Sequence, residues 1–273
     1  MQKENSFLKE LILRFTSDEV AGLAAQLSYF FLLSLFPFLI FLITLIGYLP
    51  ISQDEVLGTI EHFAPGQSML IIEQTLDQII NQRNGGLLSF GILATLWSAS
   101  NGLNAIVRAF NKAYDVEETR SFLAARGMAI LLTVAMVFVI VVALLLPVFG
   151  REIGLIIFSN FGFSDEFLTI WNTLRWLVSG IILFIVFSVL YYAAPNKHLH
   201  IKDGLPGSFA ATIGWIAVSL AFSYYVANFA NYSATYGSIG GVIVLMIWFY
   251  LSGMIIILGG ELNALLYKRK HAA

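Results

Sequence analysis

Six long apolar stretches, separated by polar segments, dominate the pattern of this chain. Each is close to the length of about 20 residues that a helix needs to cross a hydrocarbon core of roughly 30 Å. They lie at about 27–49, 87–107, 127–149, 172–194, 205–229 and 239–264. Backbone amides in lipid must pair within the chain, and the stretches lack the alternation of barrel strands. The pattern therefore predicts an all-α membrane bundle with about six transmembrane helices.

Two segments outside these stretches carry apolar residues at helical spacing. Residues 1–26 predict a cytoplasmic amphipathic helix, which lies either on the membrane surface or packed under the bundle. Its apolar face consists of Phe7, Leu8, Leu11, Ile12 and Phe15. Residues 51–86 predict short external helices with acidic faces. The chain thus divides into the amphipathic helix, a transmembrane domain at 27–266 that includes the external segment, and a basic cytoplasmic tail at 267–273.

The distribution of charge predicts the orientation of the chain in the membrane, and it limits the classes of partner that we expect. Counted over alternate loops, Lys and Arg fall twelve on one side and three on the other. Because cytoplasmic loops retain positive residues, both termini are expected in the cytoplasm of a multi-pass protein of the inner membrane. The net charge of −2 argues against a nucleic-acid partner, and the lack of cysteine excludes thiolate metal sites. Expected partners are membrane lipids and a lipid or small-solute substrate, without a cofactor; a homo-oligomer is left open.

The second stretch is the most polar of the six and carries the main candidate site. Trp97, Asn101, Asn104 and Arg108 follow each other at intervals of four, three and four residues, which aligns them on one helical face. Ser98 adds a further polar group. Polar groups in lipid are costly, so this stripe is expected to face the bundle interior. It either cross-links neighbouring helices or lines a translocation path for a solute or lipid.

Glu261 is a second candidate, near the inner end of the sixth stretch. A carboxylate at the bilayer centre costs around 3 kcal/mol. At the inner interface it can instead form an ion pair, and Arg108 and Arg126 are the partners expected from the sequence. The alternative reading of Glu261 is a site for proton exchange.

A third candidate lies at the predicted outer boundary of the bundle. Tyrosines at this depth are typical of an interfacial belt, in which the ring is apolar and the hydroxyl is hydrated. The alternative is a surface that recognises a lipid headgroup or sugar in the outer leaflet. Its candidate residues are Arg175, Tyr225, Asn228, Tyr232 and Tyr236.

Four runs of the sequence resemble those of the YihY/virulence factor BrkB family of bacterial inner-membrane proteins. They are AAQLSYFFLLSLFPFLIF at 24–41, LWSASNGLNAIVRAFNKAYDV at 96–116, YYAAPN at 191–196 and MIIILGGELNA at 254–264. The resemblance implies six membrane helices but no settled activity. It associates the chain with envelope integrity and with export of lipid or small solutes. The matching positions are Tyr29, Pro37, Trp97, Ser98, Asn101, Arg108, Pro195, Tyr236, Gly237, Trp248, Gly260 and Glu261.

Three functions follow as hypotheses. The first is a transporter or flippase-like protein for a lipid or amphipathic solute. The second is an envelope scaffold that binds a partner and transports nothing. The third is a membrane-bound ribonuclease, after the label ribonuclease BN that some family members have carried through an apparent misassignment. An enzyme is the weaker hypothesis because His198 and His200 lack a third ligand nearby, and no nucleophile motif or basic RNA-binding face occurs.

Overall fold

The computed structural model describes residues 7–46, 48, 85–135, 165–228 and 239–272. Within these ranges the chain forms seven helices and no strand. The helices are α1 (Phe7–Ser17), α2 (Val20–Ile46), α3 (Gly85–Ala113), α4 (Phe122–Ala135), α5 (Asp165–Ala193), α6 (Ile201–Asn228) and α7 (Gly240–Ala272). The predicted all-α class is confirmed.

Four of these helices, α2, α3, α6 and α7, are long and apolar enough to cross a membrane. They correspond to the first, second, fifth and sixth predicted stretches. Most of the fourth stretch falls within α5, which contains the apolar segment Leu177–Ala193. The third stretch starts in α4 and continues beyond the described residues, as does the predicted external segment except for its last two residues. The membrane helical bundle is therefore confirmed, and the count of six crossings stays a prediction.

The first two helices are separated by a short break. α1 ends at Ser17 and α2 begins at Val20, seven residues before the first predicted apolar stretch. The break occurs at Glu19, whose φ of 57° is incompatible with a continuing right-handed helix. The amide of Leu23 already donates to the carbonyl of Glu19 at 3.0 Å, so the helix is established at its first turn.

The chain forms two compact units, Phe31–Ala99 and a larger unit made of Met1–Phe30 and Ser100–Ala273. The larger unit is held together by close packing of α6 and α7. A Cβ atom at Gly207 would overlap the carbonyl oxygen of Gly259, and one at Gly260 would overlap the ring of Phe110. Glycine at these positions lets the helix backbones approach closely, as small residues do between membrane helices. Glu261 directly follows this tightly packed glycine pair.

Asn263, two residues further along α7, binds the backbone of α6 next to Pro206. Pro206 lies inside α6 and supplies no backbone amide hydrogen. The Asn263 side chain accepts a hydrogen bond from the amide of Gly207 at 2.6 Å and donates one to the carbonyl of Gly204 at 2.9 Å. The carbonyl of Gly204 also accepts a hydrogen bond from the hydroxyl of Ser208 at 2.8 Å. The Asn263 contacts fix the register of α7 against α6.

One end of the larger unit gathers the first and last described helices and two interhelical loops. We call it the terminal end. Arg269 of α7 pairs with Glu10 of α1 at 3.0 Å, and the amide of Asn196 donates to the side chain of Asn111 at 2.7 Å. Lys268 pairs with Asp115 in the loop after α3. The segments that the charge pattern assigns to one side of the membrane thus meet at the same end.

Candidate functional site

The polar stripe of α3 lies at the edge of the helix packing. Trp97 is 60% exposed and Arg108 is exposed, whereas Asn101 and Asn104 are half-buried. Other residues of the same turns, such as Leu103, fill the core. The expectation that the whole stripe faces the bundle interior is therefore wrong at its two ends. Helical spacing shows which residues share a face, but the neighbouring helices decide which face is covered.

Neighbouring helices contact the stripe through guanidinium groups and amides. Arg108 donates from Nη2 to Oε1 of Gln26 on α2 at 2.7 Å. Arg126, on α4, donates from Nη1 to Oδ1 of Asn101 at 2.6 Å. Ser98, half-buried, precedes these residues on α3. Each hydrogen bond joins a guanidinium group to a neutral amide oxygen.

Glu261 lies at the terminal end and is 1% exposed. Its Oε2 is 3.4 Å from Nη1 of Arg14, which also donates to the carbonyl of Ala113 at 3.2 Å. The predicted partners Arg108 and Arg126 are thus wrong, and the ion pair forms with α1 instead. Arg14 is 247 positions away in the chain, and only the folding of α1 against α7 brings the two groups together.

Further charges extend this ion pair into a network that we call the glutamate cluster. Its members are Glu10, Arg14, Asp18, Glu261 and Arg269. Glu10 lies 4.0 Å from Arg14 and 3.0 Å from Arg269, while the Asp18 carboxyl acts electrostatically on Glu261. Within the part of the chain that the structure describes, Oε1 of Glu261 is buried and accepts no hydrogen bond.

Tyr114, just after α3, packs beside the glutamate cluster. Burial raises the pKa of its hydroxyl well above the usual range, and the nearby charges of Asp203 and Glu261 act in the same direction. The hydroxyl stays protonated, and among the described residues it has no hydrogen-bond partner. The ring packs edge-on against Tyr267, and the ammonium of Lys197 lies 4.6 Å from the centre of the Tyr267 ring.

A second polar cluster at the terminal end links the loops that follow α3 and α5. We call it the loop clasp, and it consists of Asn111, Glu118, Arg120 and Asn196. Arg120 binds both oxygens of Glu118 at 2.7 Å, and Asn111 donates to the same carboxylate at 2.9 Å. The Arg120 hydrogen bond lowers the pKa of Glu118. Asn111 continues the spacing of the α3 stripe by three residues beyond Arg108, a signal that sequence reasoning missed.

The predicted outer site is described only in part. Tyr225 is exposed, and the side chain of Asn228 donates to the carbonyl of Tyr224 in its own helix at 2.8 Å. Tyr232, Tyr236 and the side chain of Arg175 lie outside what the structure describes. Recognition in the outer leaflet therefore stays a prediction.

Fold and sites define an α-helical multi-pass membrane protein. Residues 11–273 match the model of the Virulence factor BrkB family, and the chain belongs to this family. A ribonuclease-like protein by name, YfkH of Bacillus subtilis, is 64% identical over 265 residues, covering 97% of this chain and 96% of the relative. A UPF0761 membrane protein of Vibrio parahaemolyticus is 29% identical over 276 residues, covering 97% and 83%. No solved structure matches the chain. The family resemblance of the sequence is confirmed.

Proposed function

We propose that this protein is a flippase-like transporter that moves a lipid or an amphipathic solute across the cytoplasmic membrane. Both termini face the cytoplasm in this proposal. The charge split of twelve to three supports that orientation. The pairing of Arg269 with Glu10, which joins the last helix to the first at one end, is consistent with it.

The observation that carries the proposal is the polar stripe along α3, a helix long enough to cross the membrane. Asn101 and Asn104 are half-buried and Arg108 is exposed. Arg108 follows the second stretch at its cytoplasmic end, whereas Asn101 and Asn104 lie within the stretch. Polar side chains are costly in lipid, so polar groups along a membrane helix call for a polar partner. A lipid fits this geometry, since its headgroup can follow the stripe while its acyl chains remain in the bilayer.

The chemistry of the stripe favours an anionic headgroup. Arg108 is exposed and is held by the neutral amide of Gln26, which orients the guanidinium group without cancelling its charge. A guanidinium binds phosphate oxygens through parallel hydrogen bonds. On the same helix, Trp97 and Ser98 would extend the path, and Glu261 would lie at its cytoplasmic end.

Reconstitution of the purified protein in liposomes with a fluorescent phosphatidylglycerol tests this proposal. The wild type is expected to speed exchange between leaflets, measured by chemical quenching of the outer leaflet. Arg108→Gln should slow exchange about tenfold, the loss expected for one charge-assisted hydrogen bond. Lys202→Gln, which removes an exposed charge on α6, is the matched control and should leave the rate unchanged. Equal exchange rates for all three proteins would contradict the proposed path along α3.

The close packing of α6 against α7 favours the second candidate, an envelope scaffold without transport. Since Gly207, Gly259 and Gly260 leave no room for even one added methyl group, the region between these helices is built as a solid support. In this case residues 51–86 and the outer patch around Tyr225 and Asn228 would bind a partner. Loss of phenotype on deletion of 51–86, together with no lipid exchange in the wild type, would support the scaffold.

Ribonuclease activity is the third candidate, and the name of the Bacillus subtilis relative supports it. In the ranges that the structure describes, no group of three or more His, Asp or Glu side chains is placed to hold a metal ion. Incubation of the purified protein with RNA and divalent metal ions is the direct test. Intact RNA after incubation would remove this candidate.

A further inference from the structure

We propose that Glu261 and Asp18 form a shared proton-binding site, and that proton binding there is coupled to lipid movement. The proton site stands on the geometry of the glutamate cluster alone. The coupling rests on the proposed transport function.

The charge balance of the glutamate cluster is the first argument. It contains the carboxyl groups of Glu10, Asp18 and Glu261 but only the guanidinium groups of Arg14 and Arg269. With every group ionised, the cluster carries one excess negative charge. Glu10 and Arg269 remain partly exposed, whereas Glu261 is buried, so the cost of an uncompensated charge falls on Glu261. A single bound proton makes the cluster neutral.

The surroundings of Glu261 show which carboxyl group takes the proton. Its Oε2 is 3.4 Å from Arg14, a long contact for a charge-assisted hydrogen bond, and its Oε1 is buried without a partner among the described residues. A buried carboxylate is stabilised by several donors, and here Arg14 is the one donor that the described residues provide. A protonated Glu261 instead supplies a donor of its own, with the neighbouring Asp18 carboxylate as acceptor.

The charged and titratable groups around Glu261 come from several described elements. α1 contributes Arg14, with Glu10 behind it, and the turn after α1 contributes Asp18. The end of α3 contributes the carbonyl of Ala113, which holds Arg14, and the neutral hydroxyl of Tyr114. α6, which packs against α7, contributes Asp203, and Lys270 pairs with it at 3.0 Å. The proposed site places one exchangeable proton on Glu261, with Asp18 as its acceptor.

In the proposed step, Glu261 gains a proton and exchanges its ion pair for a hydrogen bond. A proton from the aqueous phase binds the Glu261 carboxylate, which ends its ion pair with Arg14 and begins a hydrogen bond to Asp18. Arg14 keeps its contacts with Glu10 and the carbonyl of Ala113. α1 then loses its buried attachment to α7, and the exposed pair of Arg269 and Glu10 remains. Proton binding thereby changes how firmly α1 is held.

Infrared spectroscopy of the full-length protein in liposomes tests the proton site without reference to transport. The wild type should show the carbonyl stretch of a protonated carboxyl group, which titrates with pH and shifts in heavy water. Glu261→Gln should remove this band. Asp18→Asn should shift the frequency of this band, since an amide replaces the carboxylate acceptor. If Glu261→Gln does not fold, the presence or absence of this shift tests the proton site. Glu118→Gln, at an exposed carboxylate bound by arginine, should leave the band unchanged.

A spectrum in which Glu261→Gln and Asp18→Asn both match the wild type would overturn the proton site. Coupling is tested by lipid exchange under an imposed pH gradient. The gradient should change the wild-type rate at least threefold, whereas the ratio of rates with and without the gradient should fall to one in Asp18→Asn. A wild type that moves lipid at a rate independent of the gradient overturns the coupling. A wild type that moves no lipid removes the transport proposal, while the infrared band still decides the proton site.

Discussion

The α3 stripe and the glutamate cluster both contain charged side chains on membrane helices. The two regions differ in how the charge of these side chains is compensated. Arg108 is exposed and bonds to a neutral amide, whereas Glu261 is 1% exposed and belongs to a network of five charged groups. Solvent or a lipid headgroup can compensate an exposed charge, but a buried charge depends on the protein. The comparison separates a charge at an exposed surface from an interior site whose charge must be balanced by neighbouring protein groups.

The largest expected effect comes from removing one arginine from each region. Arg14→Leu leaves Glu261 buried without its cation and should lower the free energy of unfolding by about 3 kcal/mol. Arg108→Leu should change it by less than about 1 kcal/mol, as is usual for exposed charges. Unfolding in mixed micelles, followed by circular dichroism, measures both. The same loss in both variants would show that the two regions do not differ in this way.

Glycine substitutions extend the comparison to packing. Gly260→Ala places a methyl group into the ring of Phe110 and should cost about 2 kcal/mol, as overpacking of a core does. Gly22→Ala, on α2 one turn before Gln26, meets no atom within 4 Å and should be neutral or stabilise by less than about 1 kcal/mol. The unfolding assay compares the two substitutions on equal terms. A cost at Gly22 would mean that the surface beside the stripe is covered.

Asparagine substitutions should give a smaller contrast. Asn263→Leu removes two buried hydrogen bonds to the α6 backbone and should cost about 1–2 kcal/mol. Asn104→Leu, at a half-buried position of the stripe, should change the free energy of unfolding by less than about 0.5 kcal/mol. Hydrogen exchange of the first turns of α6 provides a second readout, because only Asn263→Leu should speed it.

The smallest effect concerns pH and the loop clasp. The Arg120 hydrogen bond lowers the pKa of Glu118 in the folded protein. The stabilisation is therefore complete above the unfolded pKa of about 4.3 and is lost as the pH falls through the lower folded value. Glu118→Gln should be less stable than the wild type at neutral pH. In acid the two proteins should be equally stable. Melting temperatures from neutral pH to pH 3 measure it, and a constant difference between the two proteins would contradict the ion pair.

The sequence predicted the membrane helices well because hydropathy is a local property, and each residue of a segment contributes separately to the free energy of membrane insertion. Hydropathy gives no information on where one helix ends and the next begins when a single backbone conformation decides it. The start of α2 at Val20 depends on the left-handed conformation of Glu19. The positions of Asn101 and Arg108 on one face were correct, but their exposure depends on which neighbours pack against α3.

By itself, the sequence determined the class of the protein, its family and the identity of the polar residues within the apolar stretches. Only the tertiary structure decided that Arg14 pairs with Glu261 and that Asn196 contacts Asn111. The physical reason is that hydropathy and loop charge act on each segment separately, whereas an ion pair between residues 247 positions apart requires helices to be packed. The stripe that the sequence selected proved to be an open surface, and the buried charged site formed around a helix outside the membrane spans.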